Sequence, residues 1–150
     1  GNASAQINLG AMYRNGKGLP QDYKEAVRWY RMSADQGHAK AQNNLGNRYA
    51  NGEGVPQDYK EAVKWNRISA EQGHVLAQVN LGISYANGEG VSQDYKEAYA
   101  WWSVAKANSY ESAVKNLGIV TKKMTKEQIV QAKSISIEIS KRIEAKKKIK

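Results

Sequence analysis

The chain of 150 residues contains no cysteine and only two histidines, His38 and His74. Without cysteine there can be no disulfide, thiolate zinc site or thiol nucleophile. With so few imidazoles, and with no HExxH helix or Ser-His-Asp order, the supply of catalytic and metal-ligating groups is thin. No apolar run approaches the roughly 18 residues of a membrane span, so no transmembrane segment is expected. An initiator methionine and a signal peptide are also missing. The chain opens as GNASAQINLG, inside a pattern already running. We therefore expect a segment of a longer protein, with Gly1 and Asn2 foreign to it and any targeting signal removed.

Acidic residues are scarce at one end. Of a net charge of +9, the segment from Lys122 to Lys150 holds ten Lys/Arg against three Glu. The remainder is nearly balanced. A basic end of this kind can meet nucleic acid, an anionic surface or an acidic partner, or simply be a solvated helix face with a frayed tail.

What is abundant is repetition. NGKGLPQDYKEAVRWY at 15–30 returns as NGEGVPQDYKEAVKWN at 51–66 and as NGEGVSQDYKEAYAWW at 87–102, each copy 36 residues after the last. A fixed period of this length marks a solenoid. Ala5, Ala41, Ala77 and Ala113 align, as do Leu9, Leu45, Leu81 and Leu117, each followed by glycine. Tyr13/Tyr49/Tyr85, Asp22/Asp58/Asp94 and Trp29/Trp65/Trp101 keep the same register. The units are 5–40, 41–76 and 77–112, with a partial fourth at 113–124.

Each unit reads as two helices. Ala41, Leu45 and Tyr49, four apart, share one helix face. Gly46 interrupts that helix at a cost of about 1 kcal/mol against alanine. Its return in every unit points to close helix contact. The second helix starts at Asp58, a cap for the free amides of the first turn, with Glu61 placed to reach back in a capping box. Gly73 ends it in a left-handed cap. NGEG then follows a helix C-terminus, where carbonyls are exposed, and phosphate prefers the opposite end. Its glycines serve turns of positive φ, and Pro20 and Pro56 stiffen the approach to the next helix. At the C-terminus Thr125 and Gln128 form a second capping box. Ile129, Ala132, Ile135 or Ser136, Ile139 and Ile143 continue with helical spacing. A capping helix is expected at 125–146, covering Trp101, Trp102 and Leu117, with a frayed basic tail at 147–150.

These residues resemble the Sel1-like repeats, relatives of the tetratricopeptide repeats. The pattern A-x-x-x-L-G-x-x-Y-x-x-G-x-G-V-x-x-D-x-x-x-A-x-x-W-x-x-x-A-x-x-G runs through 5–37 and 41–73. The third unit departs late, at Ala105, Lys106 and Ser109. KNLGIVTKKMTKEQIVQAKSIS is similar to the closing segment of bacterial members. The resemblance implies an all-α, right-handed α/α superhelical solenoid, here a single domain over 1–150 and a monomer. It also implies a bacterial protein, periplasmic or secreted.

His38 and His74 sit at equivalent helix starts, on the order of 10 Å or more apart by helix packing distances, too far for a shared metal. Turn roles are expected for both. The repeating carboxylates have capping roles. No catalytic, metal or cofactor site is expected, and the chain reads as a non-enzyme. Tyr13/Tyr49/Tyr85, Tyr23/Tyr59/Tyr95 and the tryptophans are assigned to core packing.

The informative positions change between units while their neighbours do not. On the first helices these are Ile7/Asn43/Val79/Lys115, Ala11/Asn47/Ile83/Ile119, Arg14/Ala50/Ala86 and Asn15/Asn51/Asn87. In the tetratricopeptide repeats this stripe lines the concave groove that holds an extended peptide. By that resemblance the groove is polar early (Arg14, Asn15, Lys40, Asn43, Asn47, Asn51) and apolar later (Val79, Ile83, Ile119), with Asn87 and Lys115 beside it. Asn amides suit a peptide backbone, and Arg14 or Lys40 a carboxylate. The function expected is non-catalytic binding of a protein or peptide. The alternative is binding of nucleic acid or an anionic surface through the basic C-terminal helix.

Overall fold

The computed structural model describes residues 1–149 as eight α-helices, with no strand among them. α1 (Ala3–Asn15) pairs with α2 (Tyr23–Asp35), α3 (Ala39–Asn51) with α4 (Tyr59–Glu71), and α5 (Val75–Asn87) with α6 (Tyr95–Ala107). α7 (Ser112–Thr121) opens a fourth unit and α8 (Lys126–Ile149) follows it. The helices gather into two compact units, one running to Ser69 and the other starting at Ala70.

The second helices start where the aspartates cap them. Asp22, Asp58 and Asp94 each accept at Oδ1 from the N–H groups two and three residues on, at 2.9–3.3 Å. The reciprocal half of the box expected at Glu61 does not form. The Asp58 N–H instead donates to the Tyr49 carbonyl at 2.9 Å, so Glu61 has no donor to reach and lies 3.5 Å from Lys64. At Thr125 both halves form. The Gln128 N–H donates to Thr125 Oγ1 at 3.1 Å and the Thr125 N–H donates to Gln128 Oε1 at 2.9 Å.

The glycine loops close on themselves. Gly16, Gly52 and Gly88 end the first helices at φ 66°, 67° and 70°, a region costly for other residues. Gln21, Gln57 and Gln93 each donate a side-chain amide at 2.8 Å to the carbonyl of Arg14, Ala50 and Ala86. The last carbonyls of each first helix are thus satisfied within the loop. The third repeat, whose departure at Ala105, Lys106 and Ser109 suggested a different end to its second helix, instead ends it at the same register, α6 stopping 72 residues after α2. Ser109 holds φ 68° where Gly37 and Gly73 hold 87° and 91°.

The helix-interior glycines mark close contacts. A Cβ on Gly10 would lie 2.7 Å from the Tyr30 ring, one on Gly46 2.8 Å from Asn66 Oδ1, and one on Gly82 2.4 Å from Trp102 Nε1. Gly118 departs from the expectation, since a Cβ there would meet nothing within 4 Å. The residues that press on these glycines, Tyr30, Asn66 and Trp102, are themselves 36 apart. In the first unit Ile7, Tyr30, Leu45 and Trp65 share a buried cluster. In the second, Val79, Trp102, Ala113 and Val120 share another.

α8 packs along α6 and buries Ala132, Ile139 and Ile143. Its far half is held at Glu71, the last residue of α4. Arg142 donates to both carboxylate oxygens, from Nε at 2.9 Å and from Nη2 at 2.6 Å, and Lys146 adds a contact at 3.3 Å. Burial alone would raise the Glu71 pKa. The hydrogen bond from Arg142 and the charges of Arg142 and Lys146 outweigh it, so the carboxyl is held below its ordinary value. Residues 147–149, expected in a frayed tail, continue the helix, while Lys150 lies outside the described residues.

Candidate functional site

The two units present the expected stripe differently. In the first, Arg14 and Asn15 are exposed at the end of α1, Lys40 at the start of α3 and Asn51 at its end, with Asn47 half-buried. Asn43 departs from the stripe. It is 2% exposed, and its amide donates to Asn66 Oδ1 at 2.9 Å. A side chain committed to a buried amide pair is core, not surface.

In the second unit Val79 is likewise core, 8% exposed, with its carbonyl accepting from Trp102 Nε1 at 3.1 Å. Position 7/43/79 therefore changes because its partner 30/66/102 changes: Ile7 accompanies Tyr30, Asn43 accompanies Asn66, and Val79 accompanies Trp102. Lys115, the fourth member, is exposed.

Ile83, Asn87 and Ile119 come together around a cleft of ≈ 200 Å³ between α5, α6 and α7. Its other walls are Ala86, Tyr95, Trp102, Asn116, Val120 and Lys123. Ile83 is 38% and Ile119 52% exposed, high values for aliphatic side chains beside buried aromatic surface. Lys123 holds its ammonium 5.5 Å from the centre of the Tyr95 ring. Sequence reasoning missed Tyr95, Trp102, Asn116 and Lys123. Tyr95 was assigned to the core with Tyr23 and Tyr59, yet Tyr23 and Tyr59 are exposed, each the first residue of its helix, with its hydroxyl within 3.3 Å of the loop glutamine amide. The signal for Trp102 was available: it breaks the Tyr30/Asn66 series.

The same register carries other side chains into the first unit. Residue by residue, 72 positions earlier, Arg14 stands for Ala86, Arg48 for Val120, Asn47 for Ile119, Asn51 for Lys123 and Tyr30 for Trp102. Arg48 is 5% exposed and ion-paired with Glu53 on the following loop. Burial lowers the Arg48 pKa and the nearby charge of Arg14 lowers it further. Burial raises that of Tyr30, against the opposing pull of Arg14 and Arg48.

His74 caps α5, its Nδ1 accepting from the Ala77 N–H at 3.4 Å, and His38 starts α3 without a side-chain bond. Among the described residues no three His, Cys, Asp or Glu are gathered as a metal would need, and no helix is long and apolar enough to cross a membrane.

The family model of the Sel1 repeat matches residues 3–38, 39–74 and 75–110. These bounds coincide with the starts of α1, α3 and α5. A crystal structure of a protective antigen present in uropathogenic Escherichia coli strains, displaying an SLR fold, is similar over 100% of this chain and 33% of its own. The identity is 39% and the TM-score 0.88. A Sel1 repeat protein from Oxalobacter formigenes is similar over 79% of this chain and 49% of its own, at 38% identity and a TM-score of 0.75. The chain thus spans about a third and about half of the lengths of these two. No match was found among curated proteins.

Proposed function

We infer, from a chain that belongs to the Sel1 repeat family, that its role is to bind another protein by receiving one of that partner's apolar side chains in the cleft of the second unit. Proteins of this family generally mediate protein–protein interaction and are typically non-catalytic scaffolding. The solenoid of paired helices offers such a partner a surface formed before binding, which reduces the entropy lost on association.

The observation that carries the reading is the pair of open isoleucines, Ile83 and Ile119, at the mouth of a cleft walled by Tyr95 and Trp102. Exposed aliphatic surface beside aromatic walls is where binding energy concentrates. The cleft is smaller than the roughly 300 Å³ at which small-molecule pockets begin, and suits one aliphatic or aromatic side chain. Asn87 and Asn116 supply amides for an extended backbone on either side. Asn43 and Val79, being core, are no part of this surface.

The reading through the basic C-terminal helix has less support. Arg142 and Lys146 are engaged by Glu71, and Lys147 by Glu144.

Panning a random peptide display library on the purified chain tests the proposal. Enriched peptides should share an aliphatic or aromatic anchor and fail to bind an Ile83→Asp/Ile119→Asp variant that melts normally. Peptides that bind wild type and variant alike would place the interaction elsewhere.

A further inference from the structure

The seat that α8 fills in the second unit recurs, open, in the first. Position 32/68/104 on the second helices shows it. Val104 is 3% exposed, and with Gly73 it lines a cleft whose other wall includes Ile143 and Lys147 of α8. Met32 and Ile68, at the same register, are 40% and 39% exposed. The turn glycine repeats the contrast. A Cβ on Gly73 would lie 3.4 Å from Lys147 Cε and 3.6 Å from Ile143 Cγ2, whereas one on Gly37 would meet nothing within 4 Å. Charge is the third mark. Glu71 is paired with Arg142 and Lys146 of α8. Asp35, at its register, is exposed and has no ion pair among the described residues. Asp35 is the last residue of α2, whose final turn carries no basic side chain. A carboxylate added to the negative end of a helix dipole favours a cation beside it.

We propose that Asp35, Gly37 and Ile68 form a docking seat for a basic amphipathic helix of a partner protein. The chemistry of that helix is read from α8 itself. It needs an aliphatic residue for Ile68 and the open turn, and an arginine for Asp35, as Arg142 directly precedes Ile143. An acidic helix would face both Asp35 and the carbonyl end of α2, and is disfavoured. A second copy of the chain is not the occupant, because its α8 is already held at its own Glu71. The seat is separate from the cleft at Ile83 and Ile119 and does not depend on it.

A synthetic peptide of residues 126–149, which carries the α8 sequence, is the probe. It is titrated into the isotope-labelled full chain while backbone amide resonances are followed. That of Gly37 should move saturably, and that of Gly73, already covered by α8, should stay in place. A scrambled peptide of the same composition should leave both unmoved. Arg142→Glu in the peptide should weaken binding at least about tenfold. Ile68→Asp in the chain, an exposed change that leaves the fold intact, should abolish it. Asp35→Arg in the chain should weaken binding of the native peptide and restore that of the Arg142→Glu peptide, which a damaged fold could not do. A Gly37 amide that stays fixed at millimolar peptide would overturn the proposal. So would a Gly73 amide that moves in its place, or equal binding of the native, Arg142→Glu and scrambled peptides. Any of these failures would leave the reading of the second-unit cleft untouched, because panning reads that cleft through Ile83 and Ile119.

Discussion

The two compact units share one register but spend it on different chemistry. Both use the same aspartate cap, the same glutamine clasp and the same left-handed glycines, because these satisfy backbone groups that every helix end leaves open. They diverge at four matching positions, three at the surface or half-buried and one, 48/120, enclosed in both. The first unit carries Ala11, Arg14, Asn47 and Arg48 where the second carries Ile83, Ala86, Ile119 and Val120. The lesson is that variation within a repeat has two sources. Some of it is surface free to differ. Some is core, altered on both sides of one contact.

The largest effect should come from breaking the glycine contact where it exists and where it does not. Gly82→Ala drives a methyl into the Trp102 indole and should cost about 2–3 kcal/mol. Gly118→Ala meets open space and should stabilise by up to about 1 kcal/mol through helix propensity. Urea unfolding of both variants reads the contrast. Equal and opposite-sign results are not required, but a loss in both would mean that α7 is packed like α5.

Next is the coupled core pair. Asn43→Ile alone strands the Asn66 amide and should cost about 1–3 kcal/mol. Adding Asn66→Tyr rebuilds the Ile7/Tyr30 pair of the first repeat and should recover most of that loss in the same unfolding experiment. Partner affinity should be indifferent to both, since the site is buried.

The clamp on α8 is smaller and depends on pH. Glu71 has its pKa depressed in the folded chain, so its contribution is complete above the ordinary carboxylate value of 4.5 and is lost as pH falls through the lower folded value. Arg142→Ala should remove about 1 kcal/mol, a modest figure because Arg142 is half exposed. It should also flatten the acid-side loss of stability followed by circular dichroism. An unchanged acid limb would place the clamp's energy elsewhere.

The smallest is Ser109→Gly. Relieving a left-handed serine where the other repeats have glycine should raise stability by about 1 kcal/mol, seen as an increase in Tm of a few degrees.

Much of the fold was legible because it is local. Caps, loop glycines and helix spans depend on residues within a few positions of one another, and the period of 36 confirmed each reading twice over. What failed was non-local. Glu61 lost its capping role because the Asp58 N–H had already found the Tyr49 carbonyl. Asn43 read as a groove residue because its partner Asn66 lies 23 residues away on another helix. Arg48 went unread because a charged residue in a helix ordinarily points to water, and only packing reveals it as enclosed. Ile83, Asn87 and Ile119 were found by their variation alone. Tyr95 was hidden by the assumption that a repeated aromatic is a core aromatic, and Trp102 by its expected place beneath the capping helix.

The account is tested most directly by calorimetric titration of one panned peptide into the wild-type chain and into the Ile119→Asp variant. An aspartate in the cleft mouth should weaken binding by at least about a hundredfold, the loss expected when an apolar anchor meets a desolvated charge. The melting temperature should be unchanged, since Ile119 is half exposed. Equal affinity for the two chains would contradict the assignment of the cleft as the binding surface.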